Sequence, residues 1–298
     1  MREQSRAHRP DSDGYVDRDG VRVYYETYGD AGPTLLFVPP WSIVHSRVWK
    51  MQIAYFARRC RVVVFDPRGN GRSDRPTSPA AHAEIEHARD ALAVLDATGT
   101  DRAVVVTLSS GAHRTLLLAT EAPTRVSGIV FVAPSLPLAP PHPGRDIRFE
   151  DVLTTDEGWA KQNVHYWQRD YPGFVEYFMS QCVTEAHSTK CVEDAVRWGL
   201  ETDADTLAAA SRGAALDEVM ARALCGRVRA PVLVIHGDED AIAPHEIGVA
   251  LAKATDGALV TIEGGGHLVH ARDPVKVNLL LRDFVARVTA TGPRLVDA

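Results

Sequence analysis

Three side chains far apart in the sequence are of the types that turn an alcohol into a nucleophile. The first, Ser109, stands in R-A-V-V-V-T-L-S-S-G-A-H, residues 102–113. Ala103 to Val106 make an apolar run that fits a central parallel strand, and Ala112 to Ala119 fit a helix packed back on it. A serine in such a strand-to-helix turn is lifted above the strand end, with the first helical N–H groups aimed at the oxygen of whatever it attacks. That arrangement suits acyl transfer. Ser110 also bears a hydroxyl, but moving the turn by one residue sets Leu108 instead of Thr107 two positions before it, a worse steric fit.

A serine hydroxyl needs a base to take its proton, and the base needs an acid to fix its tautomer and hold its charge. Two downstream segments offer both. H-G-D-E-D-A-I-A-P, residues 236–244, follows an apolar run ending at Ile235. Its carboxylates Asp238, Glu239 and Asp240 therefore lie on a loop at a strand's C-terminal end, where α/β sheets place functional groups. In T-I-E-G-G-G-H-L-V-H, residues 261–270, Gly264, Gly265 and Gly266 free the backbone just before His267, so its imidazole can swing over the sheet. His270 lies beyond that hinge in different geometry, and His113 and His236 read as packing histidines.

These residues need a scaffold, and strand and helix signals alternate around them. Gly14–Asp17 and Val21–Tyr28 form a hairpin turning at Asp19-Gly20, an antiparallel opening to the sheet. A strand follows at Thr34–Val38, a helix near Val48–Arg58, a strand at Arg61–Phe65, a helix from about Ile85 to Thr98 and, beyond the serine, a strand at Val126–Val132. Later come a strand at Pro231–His236, a helix from His245, a strand at Ala258–Ile262 and a closing helix from Pro274 to about Val288. The rhythm predicts a mostly parallel sheet with helices on both faces.

It breaks at L-P-L-A-P-P-H-P-G, residues 136–144, whose prolines block helix and central strand alike. A helical insert is expected over residues 136–222, dividing a core of residues 13–135 and 223–298, with a loose tail at residues 1–12. Eight of the chain's 21 aromatic residues fall between Trp159 and Trp198, an enrichment that predicts an apolar lid. Trp159, Tyr166, Trp167, Phe174 and Phe178 are its candidate substrate contacts, although amphipathic helices also use such rings to pack onto a core.

Composition narrows the function. A chain of 298 residues that is 45% hydrophobic and 24% charged can bury one substantial core. No run of apolar residues is long enough for a membrane span, and a net charge of −6 without a basic cluster argues against nucleic acid. The first dozen residues lack the apolar stretch of a secretory signal, so the expected location is cytoplasmic. Cys60, Cys182, Cys191 and Cys225 show no zinc spacing and read as free thiols, with a Cys182–Cys191 bridge left open. R-G-N-G at residues 68–71 lacks the Lys-Ser/Thr ending of a phosphate loop and the third glycine of a dinucleotide fingerprint. Neither cofactor nor metal is expected. Asp66 and Arg68, in the same glycine-punctuated turn, are expected to tie that loop together.

The order Ser109, Asp240, His267 resembles that of the α/β-hydrolases, as do F-D-P-R-G-N-G-R-S-D-R-P at residues 65–76 and G-H-L-V-H-A-R-D-P at residues 266–274. The likeness covers most of the chain outside residues 136–222. It implies an α/β-hydrolase fold with the helical lid inserted after the sixth strand, and it selects Asp240 as the acid, the third residue after the glycine. It also implies an oxyanion hole made by the backbone N–H groups of Trp41 and Ser110. A serine at the nucleophile position sets the chain apart from similar dehalogenases and epoxide hydrolases, which use an aspartate there.

Two motifs depart from the family pattern. Thr107 replaces the first glycine of G-x-S-x-G, while Gly111 keeps the second; the expectation is a local rearrangement of the turn, not its loss. Pro39-Pro40 stands where a His-Gly pair is usual, and prolines lack an N–H to donate. The expected function is a cofactor-independent serine hydrolase acting on an ester of a small, largely apolar substrate. The same triad in similar folds serves C–C bond hydrolases, lactonases and thioesterases. The two departures also motivate a reading from another class, a non-catalytic ligand receptor. The expected partner is a small molecule, and a homodimer is among the assemblies the sequence allows.

Overall fold

Asp19 and Gly20 both take positive φ, 55° and 80°, the conformation that a two-residue hairpin turn demands. They join β1 (Ser12–Arg18) to β2 (Val21–Tyr28), which pair antiparallel as expected. The computed structural model describes residues 8–145 and 148–290. Residues 1–7 of the expected tail lie outside the described residues. From Asp11 on the chain is not loose: Asp11 N donates to Thr27 O at 2.9 Å, and Ser12 already pairs with β2.

Beyond the hairpin run β3 (Thr34–Val38), α1 (Lys50–Phe56), β4 (Arg61–Phe65), α2 (Glu84–Ala97), β5 (Ala103–Leu108), α3 (Gly111–Glu121) and β6 (Val126–Val132). The helix expected near Val48–Arg58 is shorter because its first turn, Ser46–Trp49, is wound as a tight 3-10 turn. Between β6 and β7 lie α4 (Val164–Cys182), α5 (Thr189–Gly199), α6 (Ala204–Ser211) and α7 (Glu218–Cys225). The chain closes with β7 (Val232–Gly237), α8 (His245–Ala254), β8 (Ala258–Ile262), α9 (Val269–Arg272) and α10 (Pro274–Ala290).

The eight strands form one sheet in the order β1-β2-β4-β3-β5-β6-β7-β8, antiparallel through β2/β4 and parallel from β4 to β8. Alternate side chains feed two apolar layers. Phe37, Val64, Val106 and Val132 meet α1 and α10 on one face, while Val38, Val63, Val105 and Phe131 meet α2, α3 and α8 on the other. Burial on both faces is why β3 to β7 read as continuous apolar runs.

α7 crosses the expected boundary at residue 222, and its Ala221, Leu224 and Cys225 join the layer that holds α3 and α8. α4 is bent at Asp170, whose φ of −151° is not helical; Asp170 Oδ1 accepts from Gly173 N at 2.9 Å and restarts the helix around Pro172. All four cysteines are free, Cys182 and Cys191 included. No helix among the described residues is long and apolar enough to cross a membrane.

Asp66 and Arg68 do tie their loop, through other partners than each other. Arg68 grips Asp90 with Nε and Nη2 at 2.6 and 2.7 Å, and Asp66 accepts from Ser46 Oγ at 2.6 Å and Arg72 N at 2.9 Å.

Candidate active site

Ser109 sits where β5 ends and α3 begins, with φ of +54°, a conformation that an L residue holds only when its surroundings enforce it. The enforcing bonds are visible. Ser109 N donates to Val132 O at 3.1 Å, and Ser109 O accepts from Ala112 N and Ser135 N at 3.1 Å each. Ser110, the neighbouring hydroxyl, already has helical backbone angles as the residue before α3.

The turn keeps its sharpness despite Thr107. β5 stays paired through Thr107 to Val38 on one side and Phe131 on the other. The methyl and hydroxyl of Thr107 fit because Gly111 faces them: a Cβ there would collide with Thr107 Oγ1 and stand 2.8 Å from Pro39 O. Thr107 Oγ1 is buried without a hydrogen-bond partner among the described residues.

Asp240 and His267 come together from the loops after β7 and β8. His267 Nδ1 lies 2.8 Å from Asp240 Oδ2, so the ring donates there and leaves Nε2 free to accept a proton. Asp240 Oδ1 accepts from Ile242 N at 2.8 Å and Ala243 N at 2.9 Å. Burial alone would raise this carboxyl, but the charge and hydrogen bond of His267 and a hydrogen bond from His236 outweigh it and hold Asp240 well below the usual carboxylate range. The rival carboxylates do other work. Asp238 Oδ1 accepts from Gly264 N at 2.7 Å, fastening the glycine hinge, and Glu239 is exposed, its N donating to Gly265 O at 3.0 Å. The two loops approach so closely that a Cβ on Gly237 would stand 2.7 Å from Gly266 O.

Ser109 and His267 line one cavity of about 40 Å³ with apolar walls that include Trp41, Val44, Phe178 and Met179. No hydrogen bond joins Ser109 Oγ to the imidazole among the described residues; unliganded sites often hold such pairs loosely and tighten them around substrate. The N–H groups of Trp41 and Ser110 have no acceptor among the described residues, as groups reserved for an oxyanion would not. Ser109, Ser110, Trp41 and Phe178 also border a second, more polar cavity of about 240 Å³.

Of the five aromatic residues expected to touch substrate, Phe178 lines both cavities. Tyr166, Trp167 and Phe174 line neither. They are buried, and Trp167 and Phe174 pack against Trp41 with ring centroids 6.0 and 6.3 Å away, so their role is to brace that loop. Trp159 is half-buried, with Arg145 stacked 4.5 Å from its ring centre.

Sequence reasoning missed three supports. His236, expected only to pack, has Nε2 3.1 Å from both Asp240 Oδ2 and Ala243 O; two acceptors there require the proton on Nε2, which donates to Asp240 from below. Arg114 donates from Nη1 to Pro39 O and Pro40 O at 3.3 and 3.1 Å and clasps Glu84 at 2.8 and 2.9 Å, locking the proline loop ahead of Trp41. Arg145 lines the polar cavity. A cation inside the helix after the serine is the one sequence signal that pointed to Arg114. His113, as expected, packs: its Nδ1 accepts from Leu216 N at 3.3 Å, and burial pushes its pKa down. His270 is fully buried against Trp49, and burial pushes its pKa down to about 3, which keeps it neutral and unsuited to proton exchange with substrate. Among the described residues no cluster of three His, Cys, Asp or Glu could hold a metal ion.

A family model described as the alpha/beta hydrolase fold matches residues 33–274. A protein of Variovorax paradoxus, provisionally named carbamate hydrolase RutD, is 28% identical over 286 residues, which are 91% of this chain and 98% of that protein. The bifunctional esterase/perhydrolase DCH of Acinetobacter calcoaceticus is 25% identical over 282 residues, 91% of this chain and 99% of its own. Among solved structures, Est816, described as an N-acyl homoserine lactone degrading enzyme, superposes with a TM-score of 0.73 at 28% identity, covering 91% of this chain and 100% of that one.

Proposed function

The chain belongs to the α/β-hydrolase fold family, and within it we propose a serine hydrolase that cleaves a short-acyl carboxylic ester through an acyl-enzyme on Ser109. The observation that carries the reading is the Asp240–His267 pair, 2.8 Å apart and opening on the same cavity as Ser109. With Nδ1–H committed to Asp240, His267 Nε2 takes the Ser109 proton as Oγ attacks the ester carbonyl carbon. The carbonyl electron pair moves onto oxygen, where the N–H groups of Trp41 and Ser110 receive it. Collapse expels the alcohol, which leaves with the proton from His267. Water then attacks the acyl-serine by the same route, releasing the acid and restoring Ser109.

The apolar cavity of about 40 Å³ holds roughly three water-sized groups, which suits an acyl part of two to four carbons. Helices α4 to α6 serve as the lid, with Phe178 as its contact to substrate. A lactone is a cyclic ester open to the same attack, and the likeness to a lactone-degrading enzyme favours it as the second reading. The test is turnover of p-nitrophenyl esters. Acetate and butyrate are cleaved, octanoate falls by about tenfold or more in kcat/KM, and Ser109→Ala is inactive on all of them. A preference for octanoate, or undiminished turnover by Ser109→Ala, overturns the reading; no turnover of any ester or lactone favours the receptor.

A further inference from the structure

Arg145 borders the polar cavity beside Ser109, and Asp240, whose charge favours its cation, forms no ion pair with it among the described residues. Its Nη1 donates to Ile242 O, its Nη2 reaches Gln162 Oε1 only at 3.5 Å, and its Nε is buried without a partner. No carboxylate pairs with it among the described residues, although burial works against its charge and pulls its pKa down. Glu84 lines the same cavity, but Arg114 already holds both of its oxygens. A guanidinium taken out of water costs free energy unless something anionic completes it. Support of the Asp240 loop explains Nη1 and leaves the Nε–Nη2 edge unexplained. Nε is closed to solvent, so a carboxylate oxygen meets this edge at Nη2, with stacking on Trp159 at 4.5 Å fixing the guanidinium plane.

We infer that Arg145 anchors a carboxylate on the alcohol side of the substrate, in the cavity of about 240 Å³ that Ser109 shares with the apolar acyl cavity. The substrate class becomes a short-acyl ester of a hydroxy acid, not the wholly apolar ester that the aromatic content suggested. The inference rests on Ser109 being the nucleophile. Serine position divides the two limbs: the small apolar pocket takes the acyl chain, and the roomier polar one takes the leaving alcohol with its charge.

The experiment compares 3-acetoxybenzoate with its neutral methyl ester, and adds equilibrium binding of benzoate as a readout that needs no turnover. Wild type should favour the anion by about 10- to 100-fold in kcat/KM, and Arg145→Gln should lose that preference chiefly through the KM of the anion, beyond any loss that the two esters share through the Asp240 loop. Arg145→Lys should restore part of it. Benzoate binding should weaken by at least about tenfold in Arg145→Gln. Equal losses on both esters would assign Arg145 to positioning the Asp240 loop and overturn the inference, as would a wild type indifferent to the charge. If neither ester is cleaved yet benzoate binding depends on Arg145, the anion site stands and the hydrolase reading falls.

Discussion

At the C-terminal ends of β7 and β8 the side chains of Asp238, Asp240 and His267 are held by specific hydrogen bonds, whereas between β6 and β7 aromatic rings pack on one another. Asp240 takes four hydrogen bonds from three directions: His267, His236 and the amides of Ile242 and Ala243. Trp167, by contrast, makes one hydrogen bond, Nε1 to Lys161 O at 2.9 Å, and is otherwise placed by rings, with Phe174 at 4.5 Å and Phe149 at 5.0 Å between centroids. The two regions teach different things about a pocket. Directional bonds fix where a proton can go, while ring packing fixes the shape of a wall without requiring that any given ring touch the ligand.

The largest expected effect tests the directional side. His267→Ala should lower kcat on p-nitrophenyl acetate by about 10³-fold or more, and Asp240→Asn by a similar order, with the fold intact by circular dichroism. His270→Asn should stay within about fivefold. A collapse in His270→Asn with His267→Ala active would exchange their roles and break the contrast.

Next comes the ring-packed side. Trp167→Ala should cost about 3–5 kcal/mol in denaturant unfolding and leave the order of preference among acyl chains unchanged. Phe178→Ala, whose ring lines both cavities, should shift preference toward longer acyl chains. Were Trp167→Ala to change preference without changing stability, the bracing role would be wrong.

A smaller effect concerns pH. His270 is held down to about 3 from 6.5 mainly by burial, against the pull of its hydrogen bond to Val48. Between those values the unfolded chain binds a proton that the folded chain refuses, so this contribution to stability is complete above the unfolded pKa and is lost as pH falls. The loss is about 2 kcal/mol by about pH 5. Unfolding free energies measured across that window should fall less steeply for His270→Asn than for wild type; parallel curves would contradict the assignment.

The contrast also explains what was legible in the sequence. The bounds of β2, β3, β4, β6 and β8 agree with the runs read from Val21, Thr34, Arg61, Val126 and Ala258; for β3, β4 and β6 the reason is that buried parallel strands announce themselves in continuous apolar residues. The Asp19-Gly20 turn and the glycine hinge before His267 were equally local signals. Long-range partners were not. Nothing near Arg145 in sequence indicates a cavity bordered by Ser109, and nothing near His236 indicates that its ring supports Asp240 across a turn. The rings between Trp159 and Phe178 were countable from sequence, but which of them faces the cavity depends on the bend at Asp170 and on Trp41, set by tertiary packing.

The most direct test of the account is intact-mass analysis after reaction with a fluorophosphonate, followed by peptide mapping. One adduct per chain on Ser109, absent from Ser109→Ala and formed about 10³-fold more slowly in His267→Ala, is the predicted result. An adduct on another residue, or labelling of Ser109 at an undiminished rate without His267, would contradict it.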